Sequence, residues 1–144
     1  MILPDVNLLL YAYDAASRHH KSARSWWLEL LNGTEPVALA WVVLLGFLRV
    51  STQARVWTQP FSAAEACGHM RSWLELPQVS IVAPGPDHAR ILFGMVERLG
   101  IGGNLTTDAH LAALAIEYQA QLHSADADFA RFPGLRWHNP LRAA

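Results

Sequence analysis

Four aspartates occupy positions from which carboxylates can converge. Asp5 follows the apolar pair Ile2-Leu3, and Asp126 closely follows the short predicted strand at 121–124, with Asp128 two residues later. Asp108 opens a helical pattern behind Thr106-Thr107. Oxygen-only ligands suit a hard divalent cation, Mg2+ or Mn2+, which keeps several waters and pairs with phosphate oxygens. Without a cation, crowded carboxylates repel and raise one another's pKa. A cation offsets that repulsion, acidifies a water and stabilises an in-line displacement, the requirements of phosphodiester hydrolysis. Each residue also has a structural reading. Asp5 and Asp126 can be strand-end turn formers, and Asp108 a first-turn helix residue favoured by the macrodipole. Spacing alone leaves both readings open.

The elements that must position these residues alternate along the chain. Strands are predicted at 2–3, 37–39, 79–83 and 121–124, with a last one at 135–137. Helices are predicted at 8–13, 19–31, 41–50, 63–74, 87–100 and 108–118. Ser62 and Glu65 form a Ser-x-x-Glu capping box at the start of the 63–74 helix. Such alternation implies an α/β fold, three layers in the order α/β/α, with a central, mainly parallel sheet. In parallel sheets ligands bind beyond the carboxyl ends of the strands, where Asp5 and Asp126 fall.

The chain has 144 residues with 11 basic and 12 acidic side chains, 52% hydrophobic and 16% charged, which bounds it to one domain, 1–144, with a substantial core. A net charge of −1 excludes a simple nucleic-acid-coating protein. With the four aspartates assigned to one pocket, eight acids remain against eleven bases, ten of them arginines, the better phosphate ligands. Cys67 is the single cysteine, so intrachain disulfides and cysteine-based zinc sites are excluded. The first residues lack a basic and apolar leader pattern, and the longest uncharged run, 37–48, is too short at ~1.5 Å per residue to cross a ~30 Å hydrocarbon core. The expectation is a cytoplasmic protein with no membrane partner.

Three segments carry a family resemblance. Pro4-Asp5-Val6-Asn7, the run from Asn104 through Thr107-Asp108-Ala109-His110-Leu111 to Ala115, and Ser124-Ala125-Asp126-Ala127-Asp128-Phe129 resemble a PIN domain. More narrowly, the chain is similar to the VapC toxins of bacterial type II toxin–antitoxin systems. The stretches Gly46-Phe47-Leu48-Arg49-Val50 and Arg131-Phe132-Pro133-Gly134-Leu135-Arg136-Trp137 look like a mycobacterial-type branch. The resemblance implies a Mg2+-dependent endoribonuclease acting on structured RNA such as tRNA, a homodimer, and neutralisation by a cognate VapB-type antitoxin. Asp5, Asp108 and Asp126 fall on the family's acidic positions as catalytic and metal-binding residues, and Asp128 lies beside them as a fourth ligand. One departure stands out: the family usually carries another acid on the helix after the second strand, and here no acid lies between Glu35 and Glu65. That gap motivates an alternative, a catalytically weak or inactive PIN-fold module that binds RNA or antitoxin without cleavage.

Other residues are placed around this site. Asn7 and Asn104 are candidates to hydrogen-bond a ligating carboxylate, against a turn or cap role, and Ser124, grouped with them around the ligands, is a candidate to orient a bound water or the scissile phosphate. Arg18, Lys21 and Arg24 are candidate phosphate contacts, against a solvated helix face. His110 points away from Asp108 and is not expected to ligate. Trp41 and Trp73 are expected in the core. Trp26 and Trp27 are neighbours on a helix, so at least one is expected to face outward and, with Val56, Trp57 and Phe61, to form an apolar groove for an antitoxin helix. Packing of the 52–60 loop onto the second helix is the competing reading.

Overall fold

The computed structural model describes residues 1–142. Its strands are β1 (Ile2–Pro4), β2 (Val37–Ala40), β3 (Val79–Val82), β4 (Gln121–His123) and β5 (Trp137–His138). They form one sheet in the order β3-β2-β1-β4-β5, and every pairing is parallel. The helices are α1 (Val6–Tyr13), α2 (His20–Leu31), α3 (Trp41–Ser51), α4 (Ala63–Leu74), α5 (His88–Leu99) and α6 (Thr106–Glu117).

The chain builds outward from β1 to β3, then returns across the sheet to add β4 on the far side of β1. Right-handed crossovers therefore place α1 to α4 on one face and α5 and α6 on the other. The helix packing agrees, since α1 contacts α2 and α3, α3 contacts α4, and α5 pairs with α6. The sheet reverses its building direction between β1 and β4, and a crevice opens there at the strands' carboxyl ends. Asp5 follows β1 and Ser124 follows β4, so the topology brings both to that crevice.

Burial on both faces explains the strand sequences. All four residues of β2, Val-Ala-Leu-Ala, are buried, as a central parallel strand requires. Under α1 to α4 lies an aromatic cluster in which Trp73 sits 5.4 Å from Trp27 and 4.9 Å from Phe47, ring centre to ring centre. Trp73 also donates its indole N–H to Tyr13 Oη at 2.8 Å. Each such buried aromatic contributes about 1.5–3 kcal/mol through burial. Gly46 lets α3 approach α1, because a Cβ there would lie 3.2 Å from Val6 Cγ2.

The capping box forms as expected: Glu65 Oε1 accepts from Ser62 N at 2.9 Å and Ser62 Oγ accepts from Glu65 N at 3.1 Å. Elsewhere the expectations are corrected. Trp26 and Trp27 are both buried, at 9% and 1% exposure. Ala23, Trp26 and Trp27 form the single buried stripe of α2, wide enough to take both neighbours, so Trp27 enters the aromatic cluster while Trp26 lies on the sheet and donates to His123 Nδ1 at 3.0 Å. Trp57 is buried as well, because the loop after α3 folds back on itself through Trp57 N to Gln53 O and Phe61 N to Ser51 O, both 2.9 Å. Conversely Trp41, expected in the core, is 55% exposed. It opens α3, whose inward face is carried by Val43, Leu44 and Phe47. The last strand lies at Trp137–His138, displaced toward the C-terminus from the expected 135–137. Among the described residues no helix is long and apolar enough to cross a membrane.

Candidate active site

Asp5 ends β1 and caps α1. Its Oδ1 accepts from Val6 N at 2.8 Å, and its backbone N–H donates to His123 O at 2.8 Å, which locks it against β4. On the other side of the crevice Ser124 is fully buried, and its hydroxyl donates to Asp5 Oδ2 at 2.7 Å. The same Ser124 Oγ accepts from Asp126 N at 3.0 Å and from Asn7 Nδ2 at 3.3 Å. Asn7 in turn accepts from Ala125 N at 3.5 Å through Oδ1. One hydroxyl thus fixes the first acidic segment to the last.

Asp126 caps the short 3₁₀ turn Ala127–Arg131, its Oδ1 accepting from Asp128 N at 2.9 Å. That turn swings Asp128 back to the crevice mouth. From the other face of the sheet, Asp108 enters in the first turn of α6. Asp108, Asp126 and Asp128 each present an oxygen within 4.8 Å of the others. Asp128 thus shares the tight set that Asp5 does not join, while Asp5 flanks it with both oxygens already hydrogen-bonded.

The electrostatics follow from this crowding. Burial, and then the charges of Asp5, Asp126 and Asp128, push the Asp108 carboxyl up to about 6. Asp5 is also raised, by burial first and more weakly by Asp126, with the bonds from Ser124 and Val6 opposing the shift. Hard oxygen donors in mutual repulsion fit a divalent cation, which would offset the charge that now favours protonation.

The remaining residues fall at varying remove. Asn7 and Ser124 belong to the carboxylate network. Asn104 lies exposed in the 3₁₀ turn Gly103–Leu105 just before α6, in line with a turn role. Arg18, Lys21 and Arg24 are exposed around the start of α2; Arg18 Nε contacts His19 Nε2 at 3.3 Å, and the His19 ring sits 4.8 Å from that of Tyr11 on α1. His110 turns from the acids to His88, with His88 Nε2 and His110 Nδ1 2.9 Å apart. Trp26, Trp27 and Trp57 are packed inside and form no open groove together. No residue of α3 is acidic, and Glu35 lies at the opposite end of the sheet, paired with the N-terminal ammonium at 2.9 Å.

Sequence reasoning missed two networks. Trp26 and His123 are 97 residues apart, and no local spacing pairs them. Glu117 turns inward to hold the turn ahead of α5, its Oε1 accepting from Gly85 N at 2.8 Å and its Oε2 from Asp87 N at 3.0 Å. The Gly85 next to it was the available signal, since a Cβ there would collide with that carboxylate.

Comparison with known proteins places this geometry. The family model described as PIN domain matches residues 2–135. The chain is 46% identical to Ribonuclease VapC33 of Mycobacterium tuberculosis, covering 99% of both chains, and 42% identical to Ribonuclease VapC37 of the same species, covering 97% of each. Among solved structures it resembles VapC20 of Mycobacterium tuberculosis, titled a Sarcin-Ricin loop cleaving toxin (TM-score 0.67, 18% identity, 94% of this chain and 99% of that one). It also resembles VapBC2 from Rickettsia felis bound to a promoter DNA fragment (TM-score 0.68, 22% identity, 96% of this chain and 98% of that one).

Proposed function

Because the chain belongs to the PIN-domain family and, within it, to the VapC ribonucleases, we propose that it is the toxin of a toxin–antitoxin pair and hydrolyses phosphodiester bonds in structured RNA such as tRNA with Mg2+. The observation that carries this reading is the closure of Asp108, Asp126 and Asp128 within 4.8 Å at the sheet's switch point, flanked by Asp5. These four carboxylates would hold the cation, with Mn2+ as an alternative. Once bound, the cation supplies positive charge to the scissile phosphate and the departing 3'-oxygen, and acidifies water.

The chain's own residues prepare that chemistry. Ser124 and Asn7 fix Asp5 and Asp126 in place, so little reorganisation is needed on loading. Asp108 must lose its proton before the set is fully charged. Arg18, Lys21 and Arg24 would steer the RNA backbone from the α1–α2 corner. The nearly neutral net charge implies shape-dependent binding with a shallow salt slope. A cognate VapB-type antitoxin and a homodimeric state complete the reading.

The test is incubation of the purified protein with total tRNA, in Mg2+ and then in EDTA. Discrete fragments that vanish with EDTA and with Asp108→Ala support the enzyme. RNA that is retained intact in both buffers points instead to the second reading, a PIN-fold module that binds without cutting. One observation favours that second reading: α3 carries no carboxylate to share a second cation.

A further inference from the structure

On the α1–α2 side of the molecule, the turn after α1 and the loop after α3 enclose a cavity of about 340 Å³. Its walls are aromatic: Tyr13, Trp57 and Phe61, with ring centres 6.0 Å apart for Trp57 and Phe61 and 6.5 Å for Tyr13 and Phe61. Asp14 lines the same space, joined by the amide of Gln59. Asp14 Oδ1 accepts from Ala16 N at 3.0 Å, which fixes the carboxylate in a turn. Among the described residues no Lys, Arg or His nitrogen lies within 4.0 Å of Asp14. Arg18, four residues on, contacts His19 instead.

The walls are built and held. Phe61 N donates to Ser51 O at 2.9 Å, Trp57 N to Gln53 O at 2.9 Å, and Ser17 N to Asp14 O at 3.0 Å. Tyr13 is fixed by the indole of Trp73. Negative aromatic faces and an unpaired carboxylate both attract a cation, and an isolated neutral group gains neither contact. A planar guanidinium stacks on the rings while donating to the carboxylate, which an ammonium does less well. A nucleic-acid backbone is disfavoured, since Asp14 would face phosphates without any cation in the cavity wall.

We propose that this cavity is a docking pocket for an arginine side chain of a partner polypeptide, laid against its Tyr13, Trp57 and Phe61 lining and paired with Asp14. The site is separate from the carboxylate cluster, so the proposal stands whether or not that cluster cleaves RNA.

The experiment is a titration of the full-length, 15N-labelled protein with acetyl-Ala-Arg-Ala-amide and with the same peptide carrying neutral citrulline. The expected result is a saturable shift of the Trp57 indole resonance with the arginine peptide and none with citrulline. Asp14→Asn, which keeps the oxygen that accepts from Ala16, should weaken the arginine peptide about fivefold or more, with the thermal midpoint unchanged. Equal shifts from both peptides, or unaltered affinity in Asp14→Asn, would overturn the proposal. So would displacement of the arginine peptide by a short RNA. A change in sedimentation of the free protein on Asp14→Asn would overturn it too, because the occupant would then be a second copy of this chain.

Discussion

Ser124 Oγ donates to Asp5 Oδ2 at 2.7 Å across 119 residues of sequence, and the same oxygen receives the backbone N–H of Asp126. A fully buried serine thereby sets the spacing of the site's two strand-end carboxylates. Ser124→Ala leaves Asp5 short of a donor and frees the Asp126 loop. The expected cost is about 10–100-fold in cation affinity or cleavage rate, alongside about 1–3 kcal/mol of stability for the broken buried bond. Calorimetric titration with Mg2+ and a denaturant melt measure the two effects separately. A variant that binds Mg2+ as wild type does would remove Ser124 from the site.

Asp108 is held in a field of like charges, and its removal should stabilise the protein while disabling it. Its carboxyl titrates near 6 in the fold, above its value in the unfolded chain. The folded state therefore binds the extra proton, and its stability falls as pH rises through that window. Asp108→Asn relieves the repulsion, so at pH 7.5 in EDTA its thermal midpoint should rise above wild type. RNA cleavage should fall by two orders of magnitude or more, about 3 kcal/mol of transition-state stabilisation. A midpoint below wild type would contradict the electrostatic account.

The same titration predicts how loading depends on pH. A cation competes with the proton on Asp108, so Mg2+ affinity should rise between pH 5 and 7 and then level off. The Mg2+-induced gain in thermal midpoint should follow the same curve. Flat affinity over this range would mean that Asp108 is not a ligand.

One tightly held cation is expected, with a second labile or absent, because α3 offers no carboxylate. Direct Mn2+ titration monitored by electron paramagnetic resonance counts the ions. Two sites of equal, tight affinity would contradict this.

Acid should destabilise the fold through His123. Its Nδ1 accepts from the Trp26 indole and its Nε2 lies 3.1 Å from Gln121 Oε1, which fixes a neutral ring with the proton on Nε2. Burial first, and then His138, push it down to about 4. The unfolded chain binds this proton more readily, so the stability His123 contributes is complete above about 6.5 and declines as pH falls toward 4. His123→Asn cannot take up this proton and should flatten that decline. Chemical denaturation of both proteins at pH 7 and pH 4.5 measures the difference.

The sequence carried the architecture because parallel strands and their covering helices write their burial into period and apolar runs. It carried the acids because each stands at the end of a strand or the start of a helix. It could not rank Asp128 against Asp5: the turn that returns Asp128 to the cluster is held by bonds from Asp128 N and Phe129 N to Asp126, and local spacing says nothing of depth. The tryptophans misled for a related reason. Adjacent residues diverge by only about 100° on a helix, and Trp26 and Trp27 stand at i+3 and i+4 from Ala23 on one broad buried stripe, so both go inside. Trp41 reads as core by type alone, but it stands on the open first turn of α3.

The return crossover from β3 to β4 has a consequence for synthesis. Asp5 leaves the ribosome 119 residues ahead of the Ser124 that fixes it, and the strand that pairs with β1 emerges just before that serine. Until those residues have emerged, β1 has an unfilled edge and the carboxylates have no common centre. Assembly from sequence-distant pieces also makes this step late and slow relative to the local helices. A nascent chain that has not yet released these residues therefore lacks the assembled carboxylate cluster. The cluster closes only after Asp128 has emerged, which leaves a partner that interval of synthesis to be at hand.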